Sequence, residues 1–241
     1  MARTDPASGA TQSHRLHLSV VVPMLNEERA IGQTLAAIRA AAPDAEIIVV
    51  DGGSTDRSVE AARDHCDLIL PALRGRARQM NDGAAAARGD AIAFVHADTT
   101  VPPSFARDIE AALADPAVVG GRFDLALDDP SIACRVLGKL ISIRSRLMRS
   151  ATGDQAIFVR RETFQRMCGF TNIELCEDVD FARRLRSSGR VACLRSTVTT
   201  SARRWRKDGL LRTVLRMWLI KSLFLLGVTP HWLKRHYADT R

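Results

Sequence analysis

The sequence predicts an α/β fold in which a mostly parallel sheet carries helices on both faces. Three observations predict it. Short continuous apolar runs such as LSVVV (18–22), EIIVV (46–50) and AIAFV (91–95) end at turn residues, helix-like stretches separate them, and polar groups follow the runs. Continuous rather than alternating apolar runs mark strands covered on both faces, the condition of parallel strands joined by crossover helices.

The elements follow in order. Residues 18–22 read as a buried strand ending at Pro23, and 28–41 as a helix with an Ala/Ile/Leu face. Strand 46–50, helix 58–63, short strand 67–70, helix 77–87, strand 91–95 and helix 102–114 complete the first half. In such sheets ligands sit beyond the carboxyl ends of the strands. Here those ends are polar: one runs into PMLNEE, one into DGGSTD and one into HADT. Three strands thus deliver acidic or amide groups to one edge.

Composition bounds the rest. The chain has 241 residues, 46% of them hydrophobic, enough for one large domain with a full core. The formal net charge of +8 hides a split between an acidic first half and a strongly basic remainder. A basic half suits an anionic membrane, substrate phosphates or nucleic acid, or else a solvated surface. One Tyr and scattered basic residues make a poor stacking surface, which argues against nucleic acid. Five scattered cysteines, odd in number and without a CxxC, argue against a disulfide framework or a zinc ribbon and for a reducing, cytoplasmic compartment. Residues 1–16 lack an apolar targeting core and read as a disordered tail.

The motifs carry the chemistry. In Asp51-Gly52-Gly53-Ser54-Thr55-Asp56 the glycines let backbone approach a ligand and the carboxylate accepts hydrogen bonds from a base or ribose; as a plain turn, Ser54 or Asp56 caps the next helix. It is neither GxGxxG nor a Walker loop, which disfavours an NAD site or an ATPase. In His96-Ala97-Asp98 a carboxylate, with or without the imidazole, suits a divalent metal bridging two phosphates; a hard Mg²⁺ or Mn²⁺ prefers oxygen and so favours Asp98. Arg74, Arg76 and Arg78 enter a helix, and Arg76 is the choice for a pyrophosphate. Glu177-Asp178-Val179-Asp180 opens another helix, where acids are stabilising anyway, yet one of them suffices as a general base for an attacking hydroxyl.

Together these strings resemble family 2 glycosyltransferases of the GT-A fold: VVPMLNEE its opening, VVDGGSTD its nucleoside turn, VHADT its metal motif, GDQAIFVRR its acceptor-side strand, then CGF and EDVDFARRLRSSG. The order and spacing run over residues 18–205, and the HADT variant resembles the subgroup called radical-SAM/selenodomain-associated transferase 2. The resemblance implies a catalytic domain over 17–205, with a nucleotide-binding part (17–101) and an acceptor part (102–205), followed by a helical appendage (206–241). It implies that Pro23, Asn26, Glu27, Asp51, Gly52, Gly53 and Ser54 line the nucleoside pocket and Arg76 touches phosphate. It further implies that Asp98, with His96, holds Mg²⁺ or Mn²⁺, that Asp178 is the base with Glu177 beside it, and that Gly153, Asp154 and Gln155 border sugar and acceptor. Arg204 and Trp205 stand where processive members carry Gln-x-x-Arg-Trp; SARRW departs from that motif and disfavours polymer synthesis. The expected reaction is inverting transfer from a nucleotide-sugar donor to a hydroxyl acceptor. A sugar-nucleotidyltransferase, or a non-catalytic nucleotide-sugar-binding module, is the alternative.

The basic half holds two amphipathic segments. Over 134–149, Arg135, Lys139, Ser142, Arg146 and Arg149 form one stripe and Val136, Leu137, Leu140, Ile141, Leu147 and Met148 the other face, which Arg144 interrupts. Residues 210–228 are apolar apart from Arg212, Arg216, Lys221 and small polar residues, and three cations argue against crossing a bilayer. Two readings stand: both helices lie on an anionic membrane surface near a lipid-linked acceptor, or both pack on the sheet.

Overall fold

The computed structural model describes residues 16–148 and 150–236. The predicted tail, apart from Leu16, lies outside the described residues; Leu16 itself packs against the core. The first half alternates as expected: β1 (Leu18–Met24), α1 (Ile31–Ala41), β2 (Glu46–Asp51), α2 (Ser58–Arg63), β3 (Leu68–Pro71), α3 (Arg76–Ala86) and β4 (Ala91–Phe94). β1 pairs in parallel with β2 and β4, and β2 with β3. Alternate residues of each run face opposite ways. Val20, Val22, Ile47, Val49 and Ala93 point to the α1 side, while Val21, Ile48, Val50, Ile92 and Phe94 point to the α3 side. Each of these Val, Ile and Phe side chains contributes about 1.5–3 kcal/mol on full burial.

β1 continues past its predicted end, with Pro23 opposite Val50. β4 leaves the ladder after Val21↔Phe94, so the N–H that Pro23 lacks has no carbonyl waiting for it.

The second half crosses back. β5 (Thr99–Thr100) and α4 (Phe105–Leu113) lead to the long β6 (Val118–Leu127), α5 (Ile132–Leu147) and a single 3-10 turn at Gly153–Gln155. β7 (Ile157–Arg160), α6 (Arg161–Arg166), α7 (Glu177–Ser188) and β8 (Arg190–Thr200) follow. The eight-stranded sheet has the order β3-β2-β1-β4-β7-β6-β8-β5, and β7 runs antiparallel to both β4 and β6, joining the halves. Gly120 and Gly121 permit this crossing: a Cβ would stand 2.4 Å from the Phe158 carbonyl oxygen at one and 2.4 Å from the Phe158 ring at the other.

The stripe assigned to 134–149 needs correction. Ser142 is buried, and Arg146 turns onto the sheet, where it holds Asp124 at 2.6 Å and the carbonyls of Cys193 and Leu194. Arg135 and Lys139 of the stripe are exposed, but the exposed surface of α5 also carries an apolar row, Ile132, Val136, Leu140, Ile143 and Leu147, at helical spacing. Arg149 lies outside the described residues. α8 (Arg203–Asp208), α9 (Leu210–Leu225) and α10 (Pro230–His236) close the chain. Leu210, Val214 and Met217 of α9 pack with Leu127, Cys134, Leu137, Ala202 and Trp205, so this segment covers the end of the sheet. Among the described residues no helix is long and apolar enough to cross a membrane.

Candidate active site

The carboxyl ends of β1 and β2 are tied together by their own polar side chains. Ser54 Oγ donates to Asp51 at 2.5 Å and accepts from the Asn26 N–H at 2.9 Å, and Asn26 Oδ1 accepts from the Thr55 N–H at 2.8 Å. Asn26 (φ 54°) and Gly53 (φ 90°) make the tight reversals, at residue types that tolerate positive φ. The Asp51 carboxylate thus shapes its own turn, and the helix that follows has Arg57 at its N-cap with no side-chain cap, not Ser54 or Asp56 as expected of a plain turn. Asp56 shapes the turn into α2 in the same way, accepting from the Ser58 N–H at 3.0 Å. Gly52 N–H and Gln79 Nε2 both donate to the Met24 carbonyl at 2.8 Å, and Gly52 abuts the Gln79 amide.

Next to that turn lies a narrow cleft lined by Pro23, Glu27, Arg76, Gln79, His96 and Asp98. Of the predicted residues, Pro23 and Glu27 meet Arg76, His96 and Asp98 here, whereas Asn26, Asp51, Gly52, Gly53 and Ser54 do not line the cleft. Glu27 does not project freely into the cleft: Arg203 holds its carboxylate at 2.9 and 3.2 Å.

Arg76 and His96 also line a larger cavity of about 190 Å³, which contains Asp154, Asp178 and Trp205. Asp178, at the start of α7, accepts the Gly153 N–H on Oδ2 and the Val179 N–H on Oδ1, each at 2.7 Å. Gly153 fits between Asp178 and His96: an added Cβ would come within 2.8 Å of His96 Nε2 and 3.6 Å of Asp178 Oδ2. Glu177 is buried and pairs with Arg76 Nε at 2.7 Å. It fixes the arginine where the two spaces meet.

Other predicted residues are placed differently. Gln155 is fully buried; its Oε1 accepts from Ser145 Oγ at 3.1 Å and its Nε2 donates to the Phe123 carbonyl at 3.4 Å, so it braces the 3-10 turn rather than facing a ligand. Asp154 faces the cavity and accepts from Thr152 at 2.5 Å. The side chain of Arg204 lies outside the described residues. Two charged cavity residues had no predicted role in the site, Arg144 and Lys221; the break that Arg144 makes in an apolar helix face was the signal. Cys176 also lines the cavity, but burial, with Asp178 and Glu177 beside it, pushes its thiol up to about 12, which leaves it protonated and non-nucleophilic at neutral pH.

Among the described residues no three His, Cys, Asp or Glu side chains converge as a self-sufficient metal cage. The donor set of one carboxylate (Asp98) with an imidazole (His96) in the same cleft fits a Mg²⁺- or Mn²⁺-like cation that brings phosphate and water oxygens with it.

The sheet thus opens, at the carboxyl ends of its strands, on two adjoining spaces that share Arg76 and His96. Residues 19–160, more than half the chain, match Glycosyl transferase family 2, and the chain belongs to that family. It is 35% identical over 116 residues to an undecaprenyl-phosphate 4-deoxy-4-formamido-L-arabinose transferase of Pseudomonas paraeruginosa, covering 43% of this chain and 34% of that one. It is 33% identical over 126 residues to validoxylamine A glucosyltransferase of Streptomyces hygroscopicus subsp. limoneus, covering 48% and 28%. The chain thus spans about a third of these relatives' lengths. Among solved structures it resembles the mannosyltransferase PcManGT of Pyrobaculum calidifontis, in complex with GDP-Man and Mn²⁺, with a TM-score of 0.66 at 20% identity over 95% of this chain and 67% of that one. It also resembles S. aureus TarS 1-349 in complex with UDP-GlcNAc, with a TM-score of 0.64 at 18% identity over 77% and 58%. These neighbours share the GT-A fold. Membership of this family weighs against the nucleotidyltransferase alternative.

Proposed function

We propose that the chain transfers a sugar from a nucleoside-diphosphate donor to an acceptor hydroxyl with inversion, Asp178 serving as the base. The observation that carries this reading is the position of Asp178. It sits in a cavity that shares Arg76 and His96 with the donor-side cleft, its two oxygens oriented by backbone N–H groups. A carboxylate has about four acceptor sites, so both oxygens keep room for the acceptor's proton.

The donor nucleoside lies along Pro23, Asn26, Glu27 and the turn from Asp51 to Ser54, and the diphosphate lies near Arg76. Asp98, with His96 adjacent, would hold a divalent cation, which would supply positive charge to the diphosphate leaving group. The acceptor oxygen attacks the anomeric carbon, its proton passes to Asp178, and the bond to the diphosphate breaks. With the Cys176 thiol protonated and no covalent step invoked, one displacement inverts the configuration. Gly153 and Asp154 border the acceptor side, and Trp205 forms part of its wall.

The acceptor is lipid-linked and the protein works at an anionic membrane surface on the cytoplasmic side. Supporting this are the apolar walls of the cavity, the exposed apolar row of α5, and Leu215, Trp218 and Leu219 exposed on α9. The similarity to an undecaprenyl-phosphate sugar transferase points the same way, and the five free cysteines fit a reducing compartment.

Asp178→Asn tests the core of the reading: turnover should be lost while nucleotide sugar with Mn²⁺ still raises the melting temperature. Retained anomeric configuration in the product, read by NMR, would overturn the single displacement. Failure to sediment with anionic liposomes at low salt would remove the membrane surface.

A further inference from the structure

Arg144 and Lys221 enter the Asp178 cavity from two separate helices, α5 and α9. Arg144 Nε and Lys221 Nζ are buried without a hydrogen-bond partner. A buried cationic group left unsatisfied is costly, and a hydrophobic side chain of similar volume usually serves stability better. The two also oppose one another. Burial first, then the charge of Arg144, pushes the Lys221 ammonium below the ordinary lysine value, and each guanidinium or ammonium sits in the field of Asp154 and Asp178 without bonding through these buried atoms. An anion placed between the pair satisfies both groups and removes their mutual repulsion.

The neighbouring wall says what else such a ligand carries. Leu137 and Ile141 of α5 and Val214, Met217 and Trp218 of α9 line the same cavity. Trp218 is 59% exposed as well, so the apolar wall continues outward to Leu215 and Leu219 on the surface. A charged head thus fits at the bottom and an apolar chain along the exit.

From this the geometry points to an anion subsite, Arg144 with Lys221, that holds the phosphate of an amphiphilic acceptor while its apolar portion runs out over Trp218. The inference rests on the assignment of Asp178 to the acceptor side and adds to it the chemical class of the acceptor. Arg144 and Lys221 are binding residues in this scheme, and no bond is made or broken at them.

The cavity carries its own reporters, Trp205 and Trp218, of the three tryptophans in the chain. The test titrates the full chain with farnesyl phosphate, farnesol and inorganic phosphate, following tryptophan fluorescence. Farnesyl phosphate should bind at least about tenfold more tightly than either farnesol or inorganic phosphate, the gain expected of one charge-assisted anchor. Lys221→Met and Arg144→Met should each abolish that preference over farnesol. Lys221→Met should also keep or raise the melting temperature, since it removes an orphaned buried charge, so a folded variant is at hand even if Arg144→Met misfolds. Equal binding of farnesol and farnesyl phosphate overturns the subsite. Inorganic phosphate binding as tightly as farnesyl phosphate overturns the amphiphile and leaves a site for free anions. Donor binding, measured separately as a metal-dependent thermal shift with nucleotide sugars, reports on the transferase reading, so the two ideas fail independently.

Discussion

The backbone N–H of Gly153 donates to Oδ2 of Asp178 at 2.7 Å, and the same glycine lies against the His96 imidazole. One residue without a side chain therefore sets the spacing between the Asp178 carboxylate and the His96 imidazole. Gly153→Ala puts a methyl group 2.8 Å from His96 Nε2, closer than real Cβ contacts come. The imidazole or the 3-10 turn must shift, and a displacement of about 1 Å near the reacting groups costs about a hundredfold in rate. The expected result is a loss of turnover of that order with the melting temperature little changed. Wild-type turnover in the alanine variant would separate this contact from catalysis.

The Arg76–Glu177 pair makes a second prediction. Glu177 is buried and Arg76 only partly so, with 2.7 Å between Nε and Oε1. Glu177→Gln keeps the volume and removes the charge. The lost charge-assisted bond costs about 2 kcal/mol, which at this chain length lowers Tm by about 4–8 °C. Because Arg76 also lines the cleft proposed for the donor, KM for the donor should rise in the same variant. A stable variant with unchanged KM would show that Glu177 does not position Arg76.

Where the sequence was legible, one signal repeated itself. β1, β2 and β4 are buried on both faces, and their unbroken runs announced them. Glu27 and Asp98, which follow two of those runs, line one cleft because parallel strands end on one edge, while Asp51 is taken up by its own turn. β6 was hidden. Its VVGGRFDLAL carries two glycines required by Phe158 and an arginine buried at 0% exposure, so it follows neither strand pattern. The face of α5 was misread for the same reason. Arg146 looks solvated as a residue type, but Asp124 and two carbonyls satisfy it inward, and periodicity does not record where a partner waits. Gln155 stood within a resembling motif, yet its amide is consumed by Ser145 and Phe123.

Asp124 ties that hidden region together. It bonds the fully buried Arg122 at 2.7 Å and Arg146 at 2.6 Å, linking β6 to α5. Replacing one member of a buried pair leaves an uncompensated charge, worth about 3–5 kcal/mol. Asp124→Ala should therefore lower the urea midpoint sharply, while turnover at low temperature stays near wild type because Asp124 lines neither the cleft nor the cavity. An unchanged midpoint would mean that the carbonyls of Phe123, Ser142, Cys193 and Leu194 suffice for both arginines.

Acid stability should depend on Asp180, two residues beyond Asp178 on α7. Burial works to raise its pKa, but the Thr171 hydroxyl at 2.7 Å and the Arg184 guanidinium at 2.8 Å overcome burial and hold the carboxyl below its ordinary range. A carboxylate with a depressed native pKa adds stability in full at pH above its unfolded value and loses it as pH falls toward the native one. The window therefore opens at about pH 4, the unfolded aspartate range, and extends downward. Asp180→Asn should lower Tm by a constant amount between pH 5 and 8, and the gap to wild type should narrow as the pH drops below about 4. Asp56 and Asp67 are also depressed and persist in both proteins, so their share of acid unfolding cancels in the comparison. A gap that stays constant to the lowest pH at which both proteins fold would show that the Asp180 charge adds nothing, and that its hydrogen bonds matter only for their geometry.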